Sequence, residues 1–486
     1  MNRTQDLWRW SARDLSTAFR RKQVSPVEAL QACLARLETV NPLINAVVSR
    51  DDGTARAAAE ASERRWRDGA PLSALDGVPL TVKDNIPVRG LPATWGSRLY
   101  ADFVPDRDEL PVNRLRAAGA VIVGKTNVPE FTLQGYTDNR VFGPTRNPWN
   151  LDLTPGGSSG GAVAAVASGI GPLAIGTDGG GSIRRPSSHT GLVGLKPSVG
   201  RVARCDGFPA ILLNCEVIGP IARTVDDVVM AMEIMAVSDP RDPLSARYAD
   251  RPFAVGPFAV GPAANCRILH VETFGDAPVD PEIRASVALA ADRLAELGHR
   301  VERAGRFTLI DAMNEKVWPV ISQTGLAWLL ERHPGWQGRI SEGLEPLAAA
   351  GRAFTATAFV GALDTIAETS RALSELFQDY DLILTPSAAA LPWEARSIFP
   401  PTIDGHEVGP RGHAVFTAFA NAAGLPAINL PSAASRSGLP IGFQLVGPQG
   451  ADALLCAVAR GYEEAHPWAH RWPPLPEGEV PGASVV

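Results

Sequence analysis

The 486-residue chain is predicted to adopt an α/β fold, a sheet covered by helices on both faces. Three observations support this class. Short apolar segments alternate with capped helical segments along the chain. Two long stretches, residues 280–297 and 352–380, have the look of extended helices. Hydrophobic residues make up 45% and charged residues 20%, enough apolar material for a large buried core.

The elements follow in order. Ser25-Pro26-Val27-Glu28 reads as a capping box with proline in the first turn, opening a helix through Leu34 and Leu37 to about Val40. Asn41-Pro42 is expected to end it, because the residue before proline avoids the helical region. Residues 44–49 and 77–82 read as strands, residues 115–118 as a helix end, and residues 120–123 as the next strand. An Ala-rich run, residues 162–169, reads as a small-residue helix leading to a short apolar strand. In residues 280–297, Ile283, Val287, Leu289, Ala291, Leu294 and Leu297 are read as helical periodicity until Gly298 stops them. Residues 382–385 read as a strand closed by Pro386. Residues 238–262 hold Pro240, Pro243, Pro252, Pro257 and Pro262 and read as irregular. Within them residues 252–256 repeat at once as 257–261, a loop expansion too short to build a repeat architecture. The Pro-rich tail from Trp472 is expected to be loosely held.

Charge and cysteine usage narrow the function classes. A net charge of -6 with dispersed basic residues gives no reason to expect nucleic acid or an anionic membrane as partner. The five cysteines, Cys33, Cys205, Cys215, Cys266 and Cys456, are scattered and form no Cys-x-x-Cys pair. Reduced, mostly buried thiols in a cytoplasmic protein are expected, with neither a disulfide framework nor a zinc site. Residues 1–12 lack the apolar core of a signal peptide, and no run approaches the ~20 apolar residues that span a bilayer.

The chemistry is concentrated in two Gly-rich turns and one lysine. Gly156-Gly157-Ser158-Ser159-Gly160-Gly161 precedes the small-residue helix, and Thr177-Asp178-Gly179-Gly180-Gly181-Ser182 follows the short strand. Lys83 ends the apolar segment Val78-Pro79-Leu80-Thr81-Val82. A serine needs a base to act as nucleophile, and a buried neutral lysine acting through a second serine is one way to supply it. Glycines before Ser182 allow a tight turn whose N–H groups converge on one point. Read locally, each feature has a plainer use: a turn or anion nest for residues 179–182, a helix N-cap for Ser158 or Ser159, a surface lysine at a strand end for Lys83.

Residues 156–197 resemble the amidase signature family, whose triad is a Ser-cisSer-Lys arrangement. The likeness extends to residues 76–84, 123–131 and 145–149. It continues in Asn-x-x-Gly-x-Pro-Ala from Asn421 and Gly-Leu-Pro-x-Gly-x-Gln ending at Gln444. The resemblance implies one domain over residues 1–486, with a central mixed twisted β-sheet covered by helices on both faces. Its core spans about residues 60–235 and 380–470, and residues 240–380 form a variable, largely helical region that shapes the substrate site. It implies Ser182 as nucleophile, Ser158 as proton bridge after a cis Gly157–Ser158 bond, and Lys83 as base. The N–H groups of Gly179, Gly180, Gly181 and Ser182 form the implied oxyanion hole. Gly179 stands where the family often carries a larger residue. Arg184 is expected in a structural salt bridge, and Arg185 stands where some relatives bind a substrate carboxylate. Asp178 is expected to brace the loop and Thr177 to orient the serines. Gln134, Gly135 and Tyr136 are further substrate-binding candidates. No metal or cofactor is required, and a monomer or homodimer is expected.

The implied activity is hydrolysis of small, hydrophobic or aryl amides through an acyl-enzyme, with carbamate (urethane) and ester cleavage as related possibilities. Residues 208–213, 317–336 and 391–413, with Trp318, Trp328, Trp336, Trp393 and Phe399, are the expected pocket loops. Three other readings compete. Gly156 to Gly160 formally matches the Gly-x-Ser-x-Gly elbow of α/β-hydrolase esterases, but polar residues 147–155 precede it where a strand is needed. Gly119 to Thr126 formally matches a phosphate-binding loop, yet its interior is Ala-Val-Ile-Val, a strand composition. Relatives also serve as the amidase component of a glutamine-dependent tRNA amidotransferase. The missing basic stripe weighs against that role.

Overall fold

The computed structural model describes residues 6–253 and 265–477. Most of the tandem duplication and the end of the tail lie outside the described residues. The strands are β1 (Val47–Ser49), β2 (Pro79–Lys83), β3 (Val121–Thr126), β4 (Leu173–Asp178), β5 (Val193–Lys196) and β6 (Val217–Ala222). They continue as β7 (Arg267–His270), β8 (Arg300–Arg303), β9 (Leu382–Pro386), β10 (Thr402–Ile403), β11 (His406–Glu407), β12 (Ala427–Pro431) and β13 (Gly442–Val446). Eleven of them form one sheet in the order β1-β3-β2-β4-β6-β5-β12-β13-β9-β7-β8, while β10 and β11 make a small hairpin.

The sheet is mixed. β2 pairs in parallel with both β3 and β4, and β7 in parallel with β8 and β9. The strands between β4 and β9 all pair antiparallel. The C-terminal strand β12 thus lies beside β5, with Ala427 opposite Lys196. That pairing brings the chain's last third back against the serine loops.

Side-chain alternation divides the core into two faces. On β4, Leu173 and Ile175 join the large apolar cluster that includes Val228 and Met232 of the helix Val225–Met235. Ala174 points the other way, into a cluster with Ala162, Val163, Val166 and Ala167 of the helix Gly160–Ser168. Helices therefore cover both faces, as the alternation predicts. Small residues in Gly160–Ser168 have a packing cause: a Cβ on Gly161 would run into the Asn127 backbone beside β3.

Several elements depart from the sequence reading. The first long helix continues through Asn41-Pro42 and spans Pro26–Ile44. Its last turn is held by the Asn41 side chain, whose Oδ1 accepts from the N–H groups of Ala46 and Val47, and by left-handed Asn45. The helix expected over residues 352–380 is two, Glu345–Ala353 and Ala356–Asp379, with Thr355 capping the second. The chain bends by 96° there. The tail is docked as far as Glu477: Trp472 meets Trp8 edge-on at 4.9 Å and lies 3.6 Å from the Arg223 guanidinium, while Leu475 is buried. No single helix among the described residues is long and apolar enough to cross a membrane.

Candidate active site

The edge-to-edge order of β2 and β4 decides where the lysine goes. Both strands run parallel, so Lys83 at the C-terminal end of β2 lies beside Thr177 and Asp178 at the end of β4. Lys83 is fully buried. Its Nζ stands 2.8 Å from Ser158 Oγ and 2.8 Å from Thr177 Oγ1, with the Thr177 carbonyl at 3.3 Å. Burial pushes the amine down to about 7; the charges of Glu216 and Asp178 oppose that drop, while Arg204 and Arg185 add to it. Asp84 faces elsewhere, accepting from the Thr94 N–H and hydroxyl. The neighbouring carboxylate therefore does not pair with Lys83, as strand alternation anticipates.

The two serine loops are joined through the backbone. The Gly157–Ser158 peptide is cis. The Ser182 carbonyl accepts from the Ser159 N–H at 3.1 Å, which sets Ser182 alongside Ser158. Ser159 occupies the N-cap position of Gly160–Ser168, but its hydroxyl donates to the Thr177 carbonyl at 3.2 Å instead of capping. The side-chain capping expected of Ser159 is therefore absent, because its hydroxyl is used to tie the serine loop to β4.

Residues 179–182 form the turn that the glycines allow. Gly181 adopts φ 112°, open to glycine and strained for other residues. Its N–H donates to Asp178 Oδ1 at 2.7 Å, so it is committed to the loop's own bracing and is not presented as an oxyanion donor. Among the described residues the N–H groups of Gly179, Gly180 and Ser182 make no hydrogen bond, and the donor set narrows to these three. Asp178 also accepts from Ile183 N–H and pairs with Arg184 at 3.0 Å, both side chains fully buried. Burial alone would raise the Asp178 carboxyl, but the Arg184 guanidinium holds it well below the usual carboxylate range.

The C-terminal pattern completes this brace. Arg184 donates to Asn421 Oδ1 at 2.6 Å and to Gln444 Oε1 at 2.9 Å, and Asn421 donates back to Asp178. Thr417 Oγ1 donates to the Gly180 carbonyl at 2.7 Å. The expected salt bridge of Arg184 and the bracing role of Asp178 are both present. Arg185 donates to the carbonyls of Gly180 and Gly157.

A cavity of about 260 Å³ is lined by residues that include Trp95, Phe208, Ile211, Leu212, Arg204 and Glu216. Leu212 and Glu216 lie against Gly179, while Lys83, Ser158 and Ser182 are not part of its lining. Trp318 packs on Gly180, and the loop Gln134 to Tyr136 lies against Gly157 and His413. Trp393 meets His189 edge-on at 5.8 Å and lies tilted against His413 at 4.7 Å, whereas Trp328 is exposed. Trp318, Arg411 and His413 have no local signal beyond lying in expected pocket loops, and Thr417 has none at all. Among the described residues no group of three or more His, Cys, Asp or Glu is placed to hold a metal ion.

A family model described as Amidase matches residues 28–456. The chain belongs to the amidase family. This amidase is 35% identical to an acylamidase of Rhodococcus erythropolis, over 96% of the chain and 98% of that relative. It is also 35% identical to a glutamyl-tRNA(Gln) amidotransferase component of Moorella thermoacetica, over 97% of the chain and 99% of that relative. Among solved structures it superposes on a bacterial aryl acylamidase of the amidase signature family with TM-score 0.85 and 31% identity, covering 95% of this chain and 97% of that one. A 6-aminohexanoate cyclic dimer hydrolase complexed with substrate gives TM-score 0.86 and 31% identity, covering 96% and 99%.

The rival motifs are resolved by the same geometry. No strand leads into Gly156, Ser158 is bonded to Lys83, and among the described residues no histidine hydrogen-bonds to either serine, so the esterase elbow is discarded. Gly124, Lys125 and Thr126 are strand residues of β3, and Lys125 Nζ donates to the Asp84 carbonyl, so no phosphate cradle forms. The thiols of Cys33, Cys215, Cys266 and Cys456 are buried and Cys205 is half-buried.

Proposed function

We propose that this amidase is a serine amidohydrolase cleaving small hydrophobic or aryl amides, with carbamates and esters as further substrates of the same nucleophile. The observation that carries the reading is Lys83 Nζ, fully buried and 2.8 Å from Ser158 Oγ, beside a turn with three free N–H groups. Neutral Lys83 draws a proton from Ser182 through the Ser158 hydroxyl, which can accept one hydrogen bond and donate another. Ser182 Oγ attacks the carbonyl carbon, and the N–H groups of Gly179, Gly180 and Ser182 receive the oxyanion. The proton passes to the departing amine, and water then opens the acyl-enzyme by the reverse path. The cavity beside Gly179 has a mixed lining, with Trp95, Phe208, Ile211 and Leu212 alongside Glu109, Arg204, Glu216 and Asp242, and its apolar part supports an apolar substrate portion. Gln134, Gly135 and Tyr136, whose loop lies against Gly157 and His413, are the proposed substrate-positioning residues.

A panel of anilide, primary-amide, carbamate and ester substrates with the purified chain tests this reading. Turnover of at least one class is expected, and Ser182→Ala is expected to abolish it with the fold intact. Undiminished activity in that variant ends the proposal. A second reading, a component of an amidotransferase complex, is favoured by the equal identity to the Moorella protein. Under it the isolated chain is inactive on simple amides and gains activity only with partner proteins.

A further inference from the structure

Arg411 carries a charge for which the protein supplies no counter-ion. Its Nη2 is buried, and among the described residues its guanidinium makes neither hydrogen bond nor ion pair. The side chain is nonetheless part-exposed at the rim of the site. The guanidinium carbon lies 4.5 Å from the Trp318 ring centroid, and that ring packs on Gly180 of the nucleophile loop. Arginine stays protonated in proteins, so the charge cannot be shed. Burial, and after it repulsion from Arg185, work against that charge.

Arg185 is the neighbouring cation, but its fork is committed. Its Nη1 and Nη2 reach the carbonyls of Gly180 at 3.0 Å and Gly157 at 3.4 Å, so it ties the two serine loops together. It contributes positive potential and leaves its Nε buried without a partner, whereas none of the Arg411 guanidinium nitrogens has a hydrogen-bond or ion-pair partner among the described residues. His413, two residues on, is buried with both ring nitrogens unpartnered, and burial keeps it neutral. The stretch that carries Arg411 and His413 is therefore cationic beside Arg185, with buried polar atoms that no group among the described residues satisfies.

We propose that Arg411 is the specificity-determining residue for an anionic substrate, its free guanidinium receiving a carboxylate carried by the amide that Ser182 attacks. This rests on the amide-hydrolase reading of the site. Trp318 holds the guanidinium flat, which suits fork-like pairing to a carboxylate. The preferred substrates are then short amides with an apolar or aryl portion on one side of the scissile bond and a carboxylate on the other.

Calorimetric binding to Ser182→Ala reads this without turnover, using succinanilate and its uncharged counterpart butyranilide. Succinanilate is expected to bind about tenfold or more tightly than butyranilide. Arg411→Met in the same background is expected to weaken succinanilate by about 10- to 100-fold and butyranilide by less than about threefold. Arg411→Lys, which keeps the charge without the fork, is expected to recover part of the loss, and circular dichroism with melting curves establishes that both variants fold. Equal affinity for the two anilides, binding of neither, or an Arg411→Met loss shared equally by both, overturns the assignment. Charge-selective binding in a chain that hydrolyses no anilide would count against the amidase reading and leave Arg411 in place.

Discussion

Lys83, the base of the proposed relay, titrates where an enzyme can use it, and the pH dependence of kcat/KM follows. Lys83 acts only as the neutral amine, and burial has brought it from 10.5 to about 7. The neutral fraction then rises about tenfold between pH 6 and pH 8 and levels off above that, because each pH unit below the midpoint costs about a factor of ten. Glu216 is the largest charge holding the amine protonated, so Glu216→Gln is expected to move the midpoint to lower pH. The assay is initial-rate hydrolysis of a chromogenic anilide across pH 5 to 10, with enzyme stability checked at each pH. An activity that keeps climbing about tenfold per unit through pH 9, as an unperturbed lysine of pKa about 10.4 would give, contradicts the burial argument. So does a Glu216→Gln profile displaced to higher pH.

Other outcomes are expected from the same geometry. Ser158→Ala removes the proposed bridge between Lys83 and Ser182 and should lower kcat by about 10²- to 10⁴-fold, read by steady-state kinetics on the folded variant. Gly180→Ala places a methyl against the Trp318 ring, and the displaced loop should cost about 100-fold in kcat/KM. Asp178→Asn leaves Arg184 as a buried uncompensated charge and should destabilise the fold by about 3–5 kcal/mol in urea unfolding. Because the Asp178 carboxyl is held below its unfolded value, its stabilisation is present above the unfolded carboxylate range and lost as pH falls toward the folded value. The wild-type chain should therefore lose stability in acid more steeply than Asp178→Asn.

The parts of the site legible in the sequence were those whose chemistry is local. Glycine runs around Ser158 and Ser182, and a lysine closing an apolar strand, announce turns and a buried amine within a few residues. A capping box located Ser25 as a helix start, and Ser25 caps the helix found there; apolar periodicity located the helix Pro281–Glu296. Helix ends were harder, since Asn41 offsets a proline signal with its own side-chain hydrogen bonds to Ala46 and Val47. The division of residues 345–379 was hidden because Thr355, an N-cap, sits inside an otherwise helical composition. Arg411, Thr417 and Trp318 reach the nucleophile loop only through the pairing of β12 with β5 and the packing of distant helices. No pattern near those residues encodes that approach. Gln444 and Asn421 were visible as a pattern, but their shared partner Arg184 lies about half the chain away.

Mass analysis of a rapidly quenched reaction with an activated aryl ester or anilide addresses the proton relay through its product, the acylated serine. The intact chain should gain the mass of the acyl group, peptide mapping should locate it on Ser182, and neither Ser182→Ala nor Lys83→Met should accumulate it at a comparable rate. Acylation at another residue, or an unaltered adduct in the Lys83→Met variant, would show that Lys83, Ser158 and Ser182 do not work as one unit.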